Sequence, residues 1–292
     1  MKPASFKYYS PESLEEALRL KAQYGDEARI LAGGQSLIPA MNFRIMQPAV
    51  LLDLNLLSEL SYISTKDGKV LHLGAMTRLN EVEGDVVIAD RVSLLHEALP
   101  YIAHPQIRNR GTVGGNIAHA DPAAELPVVA LAMDSRFRVQ STNGSHWIDS
   151  EDFFRGYFET AIDSSEILVE IEIPFISPCT GWAFLEVSRR PGDYAMAGIA
   201  ALVTLDSNRI CRKARLVYLN LSDAPLDAKQ SADLLVGEVQ SDELIMAVAI
   251  KASEEEIMPM ESLHATVNYQ RHLACILTKR ALELAFGRAR QR

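Results

Sequence analysis

Two pairs of adjacent glycines, each set among hydroxyl and amide side chains, constrain this chain more than any other feature of it. The first pair, Gly33-Gly34, lies in "LAGGQSLIP" directly behind the apolar run "ARIL", a pattern that predicts a buried strand breaking into a tight turn. Such a turn lets several successive backbone N–H groups converge on one point, and the Ser36 hydroxyl adds a further donor. That array suits a phosphate without needing a lysine. In the second stretch, "HPQIRNRGTVGGNIAHAD", Gly114-Gly115 repeats the device, with the Thr112 hydroxyl before it and the Asn116 amide after it. Two such loops can grip a diphosphate from both sides. A glycine pair is also an ordinary turn, and the spacing alone takes the reading no further than a phosphorylated cofactor. Neither Gly-x-Gly-x-x-Gly nor Gly-x-x-x-x-Gly-Lys-Ser/Thr is present, which argues against a Rossmann dinucleotide fold and a P-loop.

The remaining composition narrows the function classes. The chain has 292 residues, 48% of them hydrophobic and 23% charged, enough for two domains or one large one. No apolar run approaches the roughly 18 to 20 residues of a membrane span. The start, "MKPASFKYYSPESLEEAL", lacks a basic head followed by an apolar core, so a cytoplasmic protein without a secretory signal is expected. Twenty-nine basic against thirty-eight acidic residues give a net charge of −9, which opposes nucleic-acid binding. Cys179, Cys211 and Cys275 are widely separated, with no CxxC pair and no histidine at ligand spacing. They read as reduced structural thiols, and no metal site is expected.

Along the chain, Ser10-Pro11-Glu12 has the form of a helix start, with Leu14, Ala17, Leu18 and Ala22 at helical spacing and Gly25 at the end. "ARILA", "AVLLDL" and "KVLHLGAM" read as strands, the last after a turn at "TKDGK". This order points to a mixed α/β unit. "SLLHEALPYIA" and "AAELPVVALAMD" are helical, while "RFRVQS" and "EILVEIEIP" are strands. "PFISP" (174–178) is the predicted boundary. Beyond it, "WAFLEVSRR", "MAGIAALVTLD" and "ICRKARLVYLN" are three strands of an antiparallel sheet, followed by helices from about residue 228. In the final helix Leu273, Ile276, Leu277, Ala281 and Leu284 form one stripe.

"LAGGQSLIPAMNFRIMQPAVLLDLN", "QIRNRGTVGGNIAHADPAAELP" and "RRPGDYAMAGIAA" resemble the three signature stretches of the FAD-binding medium subunit of molybdenum hydroxylases, the family of carbon monoxide dehydrogenase, quinoline oxidoreductase and xanthine dehydrogenase. The resemblance runs in the same order through nearly the whole length. It implies an α+β chain: an FAD-binding fold of the vanillyl-alcohol oxidase type over residues 1–176, in two α/β subdomains of about 1–57 and 58–176. A C-terminal domain over 177–292 follows, with a three-stranded antiparallel sheet and helices. Carried over position by position, it assigns Ala32, Gly33, Gly34, Gln35, Ser36 and Leu37 to one side of the FAD diphosphate, and Thr112, Gly114, Gly115 and Asn116 to the other. Glu125 stands at the place of an acid that bonds the flavin's sugar portion, or is an exposed helical acid. Ile102 and Leu168 resemble apolar neighbours of the cofactor. Tyr194 resembles an aromatic residue near the isoalloxazine, or is a buried strand tyrosine. Arg189 and Arg190 could face a partner, and His119 reads as structural.

The resemblance further implies an electron-transfer subunit with no catalytic residue of its own, since the redox chemistry is the cofactor's. Its partners would be a large subunit with the molybdenum cofactor and a small one with two [2Fe-2S] clusters, assembled as a dimer of heterotrimers and serving an external electron acceptor. The three scattered cysteines exclude the extra [4Fe-4S] loop of the 4-hydroxybenzoyl-CoA reductase branch. Gln at position 35, with "RNRGTVGGNIAHAD", looks nearer to the N-heteroaromatic hydroxylases than to carbon monoxide dehydrogenase. The alternatives are a stand-alone FAD oxidase of the vanillyl-alcohol oxidase class and a flavin-free interaction module.

Overall fold

The computed structural model describes residues 2–65 and 68–292. Lys66 and Asp67, inside the predicted "TKDGK" turn, lie outside the described residues.

The first helix, Leu14–Tyr24, begins later than Ser10-Pro11 suggests. Ser13 is its N-cap: Ser13 Oγ accepts the Glu16 N–H at 3.2 Å, and Glu15 and Glu16 sit at the favourable end of the helix dipole. Gly25 ends the helix with φ +49°, and the buried Lys21 sends its ammonium back to the Gly25 and Ala28 carbonyls at 2.8 and 3.1 Å. Three strands, β1 (Lys7–Tyr9), β2 (Ala28–Leu31) and β3 (Val50–Asp53), pair in parallel in the order β1-β3-β2. Val50, Leu51 and Leu52 of the central strand are all buried, which is why its sequence is an unbroken apolar run.

A second, antiparallel sheet comprises β4 (Ile63–Ser64), β5 (Val70–Gly74), β6 (Arg136–Ser141), β7 (Gly144–Asp149) and β10 (Ile167–Pro174), in the order β4-β5-β10-β6-β7. Between its last two elements in sequence lies the short hairpin of β8 (Phe154–Gly156) and β9 (Glu159–Thr160). The alternation in "ILVEIEIP" is explained by its two faces. Ile171 and Ile173 enter the core, whereas Glu170 and Glu172 meet Arg138 at 2.8 Å and Arg136 at 2.6 Å on the opposite face. Helices Ser93–Ala98, Val113–His119 and Glu125–Ala132 cover the apolar side.

The C-terminal sheet is built from β11 (Thr180–Ser188), β12 (Ala195–Leu205) and β13 (Cys211–Leu219), as predicted, with the two-residue β14 (Leu226–Asp227) added as a fourth strand. It is a shared wall. Trp182, Phe184, Val217 and Leu219 face the core of the first half, while Ala183, Leu185, Ile199 and Tyr218 face the helix Val267–Ala289. Gly181 lies directly beneath the Ala285 carbonyl, where no β-carbon fits. The predicted stripe on that helix needs correction. Leu273, Leu277 and Ala281 are buried, but Leu284 is exposed and Ile276 is only half-buried. Ala274, Leu282, Ala285 and Phe286 take the core places, because a helix lying against a sheet buries a broad face rather than one seam. Glu97 fastens the halves together: it accepts from Trp182 Nε1 at 3.0 Å and from Arg288 Nη1 at 2.6 Å.

Candidate functional site

The two glycine stretches meet. Gly33 lies against the backbone of Arg110 and Gly111, and a β-carbon on Gly115 would stand 3.3 Å from that of Ala32. Asn55, just beyond β3, donates to the Ala32 carbonyl at 2.9 Å. Arg78 then bridges the stretches, donating to Asn55 Oδ1 at 2.6 Å and to the Arg110 carbonyl at 2.5 Å. Between them opens a cleft of about 390 Å³ lined by Gly33, Gly34, Gln35, Asp53, Asn55 and Arg110, among others.

In the first stretch the donors are unspent. Among the described residues, the N–H groups of Gly33, Gly34, Gln35 and Ser36 reach no protein acceptor, and the Ser36 hydroxyl makes no capping bond to the short helix Leu37–Asn42 that it precedes. Gln35 folds back to donate to the Gly33 carbonyl at 3.0 Å, so its side chain shapes the turn. Gly34 adopts φ +73° and abuts the Leu31 and Ile38 side chains.

The second stretch differs from the sequence expectation. It is not a second open loop: Thr112 caps the helix Val113–His119, and the glycines occupy its first turn. Their N–H groups are committed, Gly114 to the Ala75 carbonyl at 2.9 Å and Gly115 to Thr112 Oγ1 at 3.1 Å, while Asn116 N–H bonds the Thr112 carbonyl at 3.1 Å. Gly114 is a glycine because Ala75 occupies the space a side chain would need: a β-carbon on Gly114 would lie 2.5 Å from that of Ala75. Gly115 is not in the left-handed region, and its reason is likewise steric. What this side offers is a side chain: Asn116 Oδ1 is buried with no hydrogen-bond partner among the described residues.

An unpaired buried polar atom is costly, and so are unmet helix-start donors. Unspent N–H groups on one side suit the oxygens of a diphosphate. An amide on the other can accept from a cofactor hydroxyl or, turned over, donate to a phosphate. The residues present therefore fit an extended, acceptor-rich dinucleotide such as FAD.

Arg110, which sequence reasoning passed over, brings the one cationic side chain among the residues lining this cleft. Its only signal was its place directly before Gly111. Asp53 stands nearby. Burial opposes its charge, yet bonds from Tyr8 and Asn55, with Arg110 beyond them, hold its carboxyl below the usual range. Asn55 and Arg78 were also missed, because neither has a pattern of its own.

The other expected residues are not among those lining this cleft. Ile102 and Leu168 are buried in the same core as Val113 and Ile117 of the glycine helix. Arg108 Nη1 donates to the Ile102 carbonyl at 3.0 Å while its guanidinium pairs with Glu83 at 2.7 Å. Glu125 is no exposed helical acid: it is 7% exposed, and burial pushes its carboxyl up to about 7. Tyr194 is no buried strand tyrosine, being 72% exposed directly before β12. The turn before it closes with Asp193 N–H on the Arg190 carbonyl at 3.0 Å, and Gly192, at φ +85°, rests on His104. His119 stacks obliquely on Phe158 at 5.0 Å, and burial lowers its basicity. Arg189 is exposed beside His264. Among the described residues no cluster of three or more His, Cys, Asp or Glu side chains could hold a metal, and no helix is long and apolar enough to cross a membrane.

Fold and cleft thus define a mixed helix-and-sheet protein built to hold an extended anionic cofactor. The profile of the "FAD binding domain in molybdopterin dehydrogenase" matches residues 4–176, and that of the "CO dehydrogenase flavoprotein C-terminal domain" matches 182–285. Subunit alpha of the 6-hydroxypseudooxynicotine dehydrogenase complex of Paenarthrobacter nicotinovorans is 40% identical over 99% of this chain and 97% of its own. Among solved structures, the chain is similar to carbon monoxide dehydrogenase from Hydrogenophaga pseudoflava, with a TM-score of 0.95, 36% identity and 99% of both chains covered. It is also similar to quinoline 2-oxidoreductase from Pseudomonas putida 86, with a TM-score of 0.92 and 35% identity over 99% of this chain and 100% of that one. The chain belongs to the family of FAD-binding medium subunits of molybdenum hydroxylases, and is an oxidoreductase flavoprotein.

Proposed function

We propose that the chain is the electron-transfer subunit of a multi-subunit molybdenum hydroxylase, taking electrons from a small partner with two [2Fe-2S] clusters and passing them to an external acceptor. A large partner carrying the molybdenum cofactor would hydroxylate the substrate, in a cytoplasmic dimer of heterotrimers. The observation that carries the reading is the row of unspent N–H donors from Gly33 to Ser36, packed against the stretch that holds Asn116, whose buried Oδ1 has no hydrogen-bond partner among the described residues. In this reading Ala32, Gly33, Gly34, Gln35 and Ser36, with Leu37 beside them, hold the diphosphate from one side, and Thr112, Gly114, Gly115 and Asn116 from the other; within the second set, Gly114 and Gly115 serve by letting the backbones approach. Glu125 accepts from the sugar-like chain of the cofactor, Ile102 and Leu168 back it, and Tyr194 stands at the flavin. FAD supplies the redox chemistry; the protein positions it and sets its surroundings.

The proposed division is a vanillyl-alcohol oxidase-type FAD domain, with subdomains of about 1–57 and 58–176, followed by a C-terminal domain over 177–292. The parallel and antiparallel sheets on either side of residue 57 support the first cut, and the Pro174–Thr180 connection the second. For the substrate we propose an N-heteroaromatic compound. Gln35 supports this; the nearly equal identities to the quinoline and carbon monoxide enzymes, 35% and 36%, leave the weight on that residue.

The test is to separate the chain from its partners, measure released flavin and metals, and then rebuild the complex. One FAD per chain with no stoichiometric iron, molybdenum or zinc, and flavin reduction by substrate only after the partners return, is the expected result. Substrate oxidation by the isolated chain would overturn it in favour of a stand-alone oxidase.

A further inference from the structure

Asn220 belongs to none of the stretches above, yet three segments of the chain meet on it. It follows the last residue of β13 and turns the chain away from the sheet at φ +55°, a left-handed conformation that asparagine tolerates. Its N–H donates to the Pro122 carbonyl at 2.8 Å, in the loop that leads to Glu125. Its side chain reaches the other way: Nδ2 donates to the Ala195 carbonyl at 2.5 Å and to the Met196 carbonyl at 3.5 Å. Behind it, the buried Gln270 of the helix Val267–Ala289 donates to the Asn220 and Met196 carbonyls, each at 3.4 Å.

The pairing of the strands shows what this arrangement replaces. β12 begins at Ala195, but β13 pairs with it only from Gly198, opposite Leu219. Ala195 and Met196 therefore run past the end of their neighbour, and the Asn220 amide supplies the donor that one more strand residue would have given. Tyr194 is the residue directly before this fastening. The turn that carries Tyr194 is held from its other arm by Ser188 Oγ, which donates to the Arg190 carbonyl at 2.9 Å, and by Arg189 against His264 at 3.1 Å. On its own arm, Ala195 pairs with Ser188 only beyond a break in register after Val187. The Asn220 amide thus bears on the point where the chain leaves Tyr194 and enters the sheet.

We propose that Asn220 is a positioning residue for electron exit: its side-chain amide sets where Tyr194 stands, and its backbone N–H ties the same point to the loop ahead of Glu125, so that these two flavin contacts keep a fixed separation. The proposal rests on the placement of Tyr194 and Glu125 at the flavin made above. The competing account is a strand-end cap that acts on stability alone, and it gives a different pattern. A cap's effects add to those of Tyr194→Ala, whereas a residue acting through the ring has nothing left to position once the ring is gone.

Asn220→Gly keeps the left-handed backbone and the N–H bond to Pro122 but removes the fastening. Asn220→Asp keeps the shape and sets a carboxylate oxygen where the donor was. Both are compared with wild type in the complex assembled with its partners, alone and combined with Tyr194→Ala. Hydrogen exchange read by mass spectrometry should quicken over residues 190–196 by on the order of two- to tenfold, the worth of one hydrogen bond, and stay at the wild-type rate over β10. FAD content should be unchanged. After stoichiometric reduction with dithionite, reoxidation of the flavin by menadione should shift in the direction in which Tyr194→Ala shifts it, and neither Asn220 variant should change the rate further in the Tyr194→Ala background. Additive effects on reoxidation, loss of FAD, or wild-type exchange over residues 190–196 overturns the proposal. If Tyr194→Ala by itself leaves reoxidation unchanged, the placement of Tyr194 at the flavin fails and takes the electron-exit role with it, while the exchange rates still decide whether Asn220 holds the turn.

Discussion

Gly33 packs its bare α-carbon against Gly111 so closely that a β-carbon on Gly33 would lie 2.7 Å from the Gly111 α-carbon, and nearer still to the Arg110 carbonyl oxygen. The first glycine of the pair is therefore required by the other half of the site. A side chain at position 33 would prise the two stretches apart before any ligand arrives. Gly33→Ala should lower FAD content at least tenfold while leaving far-UV circular dichroism near wild type, since the contact lies in loops outside the sheets. Wild-type flavin content in Gly33→Ala would show that the stretches are free to separate without consequence.

Gly34 and Gly115 should fail for different reasons. Gly34→Val forces a β-branched residue to φ +73°, a strain of about 1–3 kcal/mol. Gly115→Val meets the Thr112 hydroxyl at 2.7 Å and the Ala32 β-carbon at 3.3 Å with no such backbone penalty. Asparagine, which tolerates the left-handed region, should partly rescue position 34 and do nothing for position 115. Released flavin absorbance from the four variants decides this.

Arg78 spans from Asn55 to the Arg110 carbonyl, and a lysine, with one ammonium, cannot repeat that fork. Arg78→Lys and Arg78→Met should both weaken FAD binding by on the order of tenfold, the worth of a charge-assisted hydrogen bond of about 1.5–3 kcal/mol. Equal binding by Arg78→Lys and wild type would mean that the bridge adds nothing to the site.

Local pattern made much of this architecture legible. The apolar run of β3, the alternation in β10 and the three long C-terminal strands all follow from what each segment buries. What stayed hidden depends on partners remote in sequence. Gly114 reads as a phosphate loop until Ala75 is seen pressing on it, and Asn55 and Arg78 carry no motif because their partners lie in other segments. The Ser10 start was displaced by Ser13 for a local reason, the better-placed cap. The glycine-pair pattern itself picked out Gly33, Gly34, Ser36, Thr112, Gly114, Gly115 and Asn116 as a grip on phosphate; naming FAD, and adding Glu125, Ile102, Leu168 and Tyr194, came from resemblance, and the structure gives distinct physical grounds for several of these positions.

Burial of Glu186, on the face of β11 that Trp182 and Phe184 turn toward the first half, should show in the stability of cofactor-free protein. Folded Glu186 keeps its proton up to about 8, whereas an unfolded glutamate releases it near ~4.3. The raised value favours the folded state fully below ~4.3, and that contribution is lost as pH rises through about 8. Glu186→Gln should melt close to wild type at pH 5 and clearly above it at pH 8.5, roughly 2–4 °C for each kcal/mol recovered. Parallel melting curves for the two proteins across that range would remove the Glu186 carboxyl from any role in stability.

Tyr194 should govern electron exit more than cofactor retention. It is 72% exposed, on a turn fixed by Gly192 against His104, it feels the charges of Asp121 and Glu125, and it is not among the residues that line the cleft beside Gly33 and Gly34. Removing an exposed ring should leave the fold unchanged, and losing one aromatic contact should weaken FAD binding by about 1 kcal/mol, far less than losing the diphosphate donors. Tyr194→Ala, assembled with its partners, is therefore expected to keep its flavin yet show altered turnover with an acceptor that collects electrons at FAD. Rapid mixing separates flavin reduction by substrate from reoxidation by acceptor, and the second rate is the one that should change. Loss of FAD from the variant would place the ring in the binding site proper, and two unchanged rates would leave it an ordinary surface tyrosine.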